Sequence, residues 1–195
     1  MYKIKPSLLD DFKIYKSGKF EKPLGDVINK IKGVFISTKQ MAIGKIIHKY
    51  LETGKDAELE KEEIVQLSPL RNFNITCMNE VRFKSQLTND IVISGVLDSL
   101  KGFMGIEYKT GARFWGVDLY ESSVQWKLYC HALSLKQFNY IHIQIGGTKH
   151  PYYFTIREFS FYPYREMRND IINLANEFIE FCILNNLESY INEQS

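Results

Sequence analysis

Asp98, Glu107 and Lys109 stand where apolar strand residues would ordinarily continue. Asp98 ends the run Gly95-Val96-Leu97-Asp98, and Glu107 and Lys109 interrupt Gly105-Ile106-Glu107-Tyr108-Lys109. Side chains two apart on a strand leave by the same face, so Glu107 and Lys109 project together. A short turn between the two runs brings Asp98 beside Glu107. Two carboxylates that close repel unless a cation sits between them. Mg²⁺ takes hard oxygen ligands and keeps several waters, so two carboxylates plus a substrate phosphate suit it. A lysine ammonium alongside can orient or help deprotonate a water and offset negative charge in a phosphoryl transition state. Asp11-Phe12-Lys13 has the same acid-x-Lys form but no strand pattern around it, and reads as solvated helix charge.

The elements that must position these residues follow from periodicity and punctuation. Ser7 is placed as the cap of a short helix through Tyr15, and Pro23 opens another that ends at Gly33, with a polar stretch from Lys16 to Lys22 between them. Thr38 caps a helix to about Glu52 that stops at Gly54. Ile43, Ile46, Ile47, Tyr50 and Leu51 recur on it at helical spacing, and Gly44 and His48, four apart, share a face. Residues Ala57 to Leu67 are acidic and helical in pattern, closed by Pro69. Three strands are predicted next, Ile75 to Leu87, Ile91 to Leu100 and Phe103 to Lys109, joined by turns at Thr88-Asn89-Asp90 and Lys101-Gly102 into an antiparallel meander. A helix from about Leu119 to Leu135 precedes strands at Tyr140 to Ile145 and Tyr152 to Phe161. A last helix runs from about Pro163 to Tyr190. The expectation is a single domain over 1–195, with a mainly helical part at 1–70 and a sheet core with a C-terminal helix at 71–195. Its fold class is α/β, a central mixed sheet of about five strands flanked by helices.

Bulk properties narrow the setting. The 195 residues carry a net charge of only +2, but residues 1–50 hold eleven Lys against four acidic residues, whereas the rest hold 14 basic and 19 acidic ones. A basic N-terminal part suits a polyanion. The 14% aromatic content is open between core packing and base stacking. Cys77, Cys130 and Cys182 are far apart and odd in number, which argues against a disulfide framework or a zinc cluster and for a reducing compartment. No run reaches the roughly 18 apolar residues of a membrane span, and no apolar signal region follows Met1. A soluble, cytoplasmic protein is expected.

The arrangement resembles the PD-(D/E)xK nuclease superfamily, specifically the RecB-like branch that includes the CRISPR-associated RecB-like exonucleases. Members show a helical His, a Gly-x-x-Asp, an Asp/Glu-x-Lys and a Gln-x-x-x-Tyr helix, in that order. Here these are matched by His48, by Gly95 to Asp98, by Glu107-Tyr108-Lys109-Thr110-Gly111, and by Gln125-Trp126-Lys127-Leu128-Tyr129, so the resemblance covers about residues 40 to 135. It implies a restriction-endonuclease-like core. It implies His48, Asp98, Glu107 and the Tyr108 backbone carbonyl as metal ligands, and Asp98, Glu107 and Lys109 as catalytic. It implies Gln125 and Tyr129 as residues that contact the DNA strand or position Lys109. Neutral imidazole suits Mn²⁺ better than Mg²⁺, so either metal is expected. Thr110, Arg113, Lys45 and Lys49 are further candidates for phosphate contact; Glu80 is a weaker site candidate, either a carboxylate behind the metal ligands or, the favoured reading, a strand-surface charge. His131 and His142 lack such partners and read as structural. Many CRISPR-associated members hold an iron–sulfur cluster with one cysteine near the start and three near the end. This chain lacks that set, so no cluster is expected, and a small phage-like or accessory nuclease fits better.

The resemblance therefore implies a metal-dependent DNA nuclease, an exonuclease or DNA-end-processing enzyme. Its partners would be DNA ends or single-stranded stretches, with a helicase or recombination partner open and oligomeric state unread. Two alternatives stand beside it: a nuclease fold that has lost catalysis and holds DNA or protein, and a small-molecule phosphohydrolase with the same carboxylate pair.

Overall fold

A computed structural model of the chain describes residues 1–18, 23–34, 37–56 and 58–192. Ala57 and part of the polar stretch before Pro23 lie outside the described residues. The elements in order are β1 (Tyr2–Ile4), α1 (Pro6–Ser17), α2 (Leu24–Ile31), α3 (Lys39–Thr53), α4 (Lys61–Asn74), β2 (Met78–Gln86), β3 (Ile91–Lys101), β4 (Met104–Gly111), α5 (Val117–Ser122), α6 (Gln125–Leu133), β5 (Gln137–Gly146), β6 (Tyr153–Phe161) and α7 (Met167–Leu184), with a 3₁₀ turn at Glu188–Tyr190. The expected mixed α/β core is there, with six strands instead of five. The added strand is β1, too short at three residues to carry a periodic signal.

The sheet is mixed. Along one edge of β3 runs β2, antiparallel. The opposite edge is shared. β4 pairs with it antiparallel over residues 99–101, and β1 pairs with it parallel over residues 91–93. Between those two partners, residues 94–98 have no strand beside them on that edge. β5 then lies parallel to β4 along its whole length, and β6 is antiparallel to β5.

Helices cover both faces, and strand alternation decides which residue meets which. On β5, Phe138 and Tyr140 pack with Leu9 and Phe12 of α1, Leu128 of α6 and Phe178 of α7. Ile141, Ile143 and Ile145 pack on the other face with Ile43, Ile47 and Leu51 of α3 and Leu67 of α4. Each such fully buried side chain contributes roughly 1.5–3 kcal/mol. No helix among the described residues is long and apolar enough to cross a membrane. The three cysteines are unbridged.

Several helix boundaries depart from the sequence expectation: α7 spans Met167–Leu184, shorter than the expected Pro163 to Tyr190, α4 starts at Lys61 and not at Ala57, and three further departures have a local reason. α1 begins at Pro6, which sits in the first turn where a missing N–H costs nothing, so Ser7 is inside the helix and does not cap it. α4 runs through Pro69 to Asn74. The Val65 carbonyl that Pro69 cannot reach accepts a hydrogen bond from the Ser68 hydroxyl instead, at 2.9 Å. The single helix expected over Leu119 to Leu135 is two, α5 and α6, broken at Ser123, which is extended (φ −57°, ψ 136°). Asp10 of α1 secures the break: its Oδ1 accepts from the Val124 N–H at 2.7 Å and its Oδ2 from the Ser123 hydroxyl at 2.8 Å. A carboxylate 113 positions away thus caps α6. Thr38 caps α3 as expected, its hydroxyl accepting from the Met41 N–H, and Gly54 ends it in the left-handed region.

Gly44 lets α3 lie directly on β4: a Cβ there would fall 2.4 Å from Thr110 Oγ1 and 3.4 Å from Thr110 Cβ. In an open helix, Gly→Ala stabilises by about 1 kcal/mol. Here overpacking reverses the sign, and Gly44→Ala should lower stability by about 1–3 kcal/mol in urea denaturation. In a Thr110→Ala background the same substitution should cost less than about 0.5 kcal/mol or stabilise, which a double-mutant cycle reads directly.

Candidate active site

The site is built around the parting of β3 from β4. Ser99 still pairs with Ile106; one step further the strands separate, and Asp98 and Glu107 stand on either side of the fork. The Tyr108 backbone N–H, freed by the separation, donates to Asp98 Oδ2 at 2.8 Å. The fork coincides with a kink in the β2–β3 ladder. Glu80, opposite Asp98, has φ +50°, uncommon for a residue with a side chain. On one side of the kink, Val81 and Leu97 pack toward α6; on the other, Asn79 and Ser99 turn to Asn74 of α4, with Ser99 Oγ 2.5 Å from Asn74 Oδ1 and 2.9 Å from Asn79 Oδ1. Glu80 therefore faces the same small cavity as His48, Glu52 and Asp98. It belongs to the site and not to the outer strand surface, and no residue spacing in the sequence announces the kink.

Glu107 and Lys109 leave β4 together, as alternation requires. Lys109 Nζ donates to Glu107 Oε1 at 2.9 Å and to Gln125 Oε1 at 2.8 Å. Gln125 Nε2 donates in turn to Glu107 Oε1 at 3.2 Å and to the Tyr129 hydroxyl at 3.3 Å, and that hydroxyl donates to the Val96 carbonyl at 2.8 Å. Gln125 and Tyr129, one turn apart on α6, thus tie Lys109 and Glu107 of β4 to the unpaired edge of β3. His48, one turn beyond Gly44 on α3, has its Nδ1 3.7 Å from Asp98 Oδ2 and its ring edge-on to Tyr108.

Burial sets the protonation. It pushes the Asp98 carboxyl up to about 6, against the Tyr108 N–H and Lys109. It pushes Glu107, only 7% exposed, up to about 7, with Asp98 adding to the rise and Lys109 opposing it. Burial pulls the Lys109 ammonium down, but the Glu107, Asp98 and Asp10 carboxylates outweigh it and its pKa is raised, so it stays charged. Burial lowers His48, which favours the neutral ring.

Glu107 Oε2 is buried and has no hydrogen-bond partner among the described residues. A buried carboxylate oxygen without a partner is costly, and a proton or a bound cation would relieve it. Two carboxylates, a neutral imidazole and a backbone carbonyl are a donor set that Mg²⁺ or Mn²⁺ accepts. Among the described residues no three His, Cys, Asp or Glu side chains form a ready-made cage. His48 meets Asp98, while Glu107 Oε1 is engaged by Lys109 and Gln125.

No protein-family model matches the chain's sequence, and no curated protein matches it. Solved structures do resemble it. The crystal structure of SSO0001 is 17% identical, with a TM-score of 0.57 over 93% of this chain and 76% of that one. The likeness is one of fold. An alkaline exonuclease (LHK-Exo) from Laribacter hongkongensis is 13% identical, with a TM-score of 0.46 over 96% of this chain and 88% of that one. A phage related exonuclease from Haemophilus somnus 129PT is 12% identical, with a TM-score of 0.44 over 95% and 97%.

The other candidates are distributed unevenly. Thr110 and Arg113 line a pocket that starts at Lys109. Lys45 and Lys49 are exposed on the outer side of α3, and Lys49 borders a separate hollow with Lys55, Asp56 and Glu58. Two features went unread in the sequence. A groove of 620 Å³ leads to Glu107, Gln125 and Tyr129 between Lys3, Lys5, Arg82 and Lys84. The Lys-rich N-terminus signalled half of it, but Arg82 and Lys84 look like ordinary strand charges. The second is His142, which lies opposite Lys109 in the β4–β5 register. Strand pairing across a helix crossover leaves no trace in residue spacing, so this neighbour of Lys109 is visible only in the sheet.

The raised carboxylates make stability depend on pH with a definite sign. Glu107 favours the folded state fully below its ordinary value of 4.5 and loses that contribution as pH rises through about 7. Asp98 acts the same way between 3.8 and about 6. Glu107→Gln cannot ionise. Without divalent metal, its melting temperature should rise relative to the unsubstituted protein between pH 5 and pH 8; a constant difference would mean that Glu107 titrates normally.

Proposed function

We propose that the chain is a divalent-metal-dependent DNA nuclease, an exonuclease or DNA-end-processing enzyme that hydrolyses phosphodiester bonds with an activated water. The observation that carries this is the fork. A charged lysine is hydrogen-bonded to a buried carboxylate that has an unpartnered oxygen and lines the inner end of a basic groove, and a second carboxylate raised by burial stands across the fork from it. A structural ion pair needs no groove, and a surface groove needs no buried acid.

Roles follow from contacts. His48, Asp98, Glu107 and the Tyr108 carbonyl would hold Mg²⁺ or Mn²⁺. When bound, such an ion supplies Lewis-acid polarisation of the phosphate and lowers the pKa of a coordinated water. Lys109, fixed by two hydrogen bonds at 2.9 and 2.8 Å, offers its remaining N–H to the attacked phosphate or to the incoming water and offsets charge that develops there. Gln125 is a positioning residue for Lys109 and Glu107, and Tyr129 holds Gln125 and the β3 edge. Lys3, Lys5, Arg82 and Lys84 neutralise phosphates along the strand, with Thr110 and Arg113 beyond the cleaved bond.

End-labelled linear DNA and a covalently closed circle, incubated with Mg²⁺ or Mn²⁺, test this. Linear DNA should be degraded and the circle spared. EDTA, Lys109→Ala and Asp98→Ala should each lower the rate by at least about 10²-fold, the scale of losing a preorganised transition-state group. Full activity in either variant would sink the assignment, and tight DNA binding without metal-dependent cleavage would favour a binding module.

The groove makes a separate prediction. Single-stranded oligonucleotide binding, measured in EDTA, should weaken linearly with log salt. Replacing Lys5 and Arg82 together by Gln should reduce that slope by about 1.4, or about 0.7 per lost phosphate contact. An unchanged slope would move the strand off this groove.

A further inference from the structure

On the far side of Lys109 from the groove lies a second concavity of 330 Å³, between α1, α5 and the ends of β4 and β5. It is within the roughly 300–1,000 Å³ of small-molecule pockets. Three observations give it chemical character. Trp115 stands at its rim, 64% exposed, with most of its indole open to solvent. The segment carrying it is anchored by its neighbour Phe114, which clusters with Tyr120 and Phe159 at ring separations of 6.1 and 5.4 Å and has Arg157 over its face. The backbone that presents Trp115 to the pocket is thereby held in place. The inner wall holds His142, 3% exposed. Its Nδ1 shares a 2.7 Å hydrogen bond with the Tyr120 hydroxyl, and its Nε2 is buried with no partner among the described residues. Lys109 lines the near end, 5.8 Å from the Tyr140 ring centre, and is hydrogen-bonded to Glu107 and Gln125, which line the groove.

An aromatic platform, a buried imidazole nitrogen awaiting a hydrogen bond and a flanking cation are what an unstacked nucleobase needs: a ring face, an edge contact and a phosphate contact. We infer that this pocket is a subsite for one unpaired base of the bound strand, next to the cleaved phosphate, with Trp115 stacking on its face and His142 meeting its edge. A base held in a duplex cannot enter it, so the substrate class is a single strand or an end that has frayed. The inference rests on the nuclease function proposed above and specifies which nucleic acid serves it.

An abasic scan tests the subsite by binding alone. Single-stranded oligonucleotides of one length, each lacking one base at a successive position, are titrated in EDTA against the unsubstituted protein, Trp115→Ala and Trp115→Phe. Trp115 is exposed, so neither change threatens the fold. In the unsubstituted protein one position should cost about tenfold in affinity, the scale of one stacked base. In Trp115→Ala that position should cost less than twofold, and Trp115→Phe should restore most of the effect. A flat scan, or a loss of equal size in Trp115→Ala, overturns the subsite while leaving the nuclease proposal standing. So does quenching of Trp115 fluorescence by a free mononucleotide with a flat scan, which would make the pocket a product site. Failure of every oligonucleotide to bind at low salt would instead overturn the nuclease proposal and the subsite with it.

Discussion

β3 cannot keep β4 as its partner and also hold a site between them. The two strands share only three residue pairs, and beyond these a stretch of β3 edge is left without a strand. Buried backbone groups must find other partners. Here they come from the site itself: the Asp98 carboxylate takes the Tyr108 N–H, and the Tyr129 hydroxyl takes up the Val96 carbonyl. β1 covers the far end of the same edge. The residues with chemical potential are thus also the ones that make an open edge tolerable, so losing one costs both roles.

The electrostatics show the same double use. Two carboxylates are buried where neither ionises easily, and one of their oxygens has no partner. A protein selected for stability alone would place apolar residues there. The nearby lysine compensates in part, since it remains charged and is clamped between Glu107 and Gln125. Such locally unfavourable arrangements persist where the surroundings over-determine them. The surroundings here are well packed: α6 on one face is capped by Asp10 from α1, and α3 on the other is set against β4 by the absence of a side chain at Gly44.

Two cavities flank the cluster of Lys109, Glu107 and Gln125: the lysine lines one, and its two hydrogen-bond partners line the other. The basic groove follows the unpaired edge of β3, and the aromatic pocket lies where β4 and β5 run side by side. Charge decides the approach, since phosphate attraction is long-range and indifferent to sequence. Aromatic contact decides what rests at the end, since stacking acts only at contact distance.

What the sequence determined by itself was everything carried by local period and punctuation. Alternation put Glu107 and Lys109 on one face, helical spacing put Gly44 and His48, and then Gln125 and Tyr129, on common faces, and the β2–β3–β4 meander followed from its turns. Thr38 and Gly54 marked the ends of α3 because a cap acts within one turn. Tertiary structure decided whatever depends on partners distant in the chain. Asp10 breaks a helix more than a hundred residues away, β1 exists only because β3 offers it an edge, and His142 reaches Lys109 only through a parallel pairing across a helix. The fork itself belongs to that second class. Two charged residues at the ends of two strands are legible in one dimension, but only a sheet that stops pairing there turns them into a site, because hydrogen bonding between strands is a property of the assembled chain.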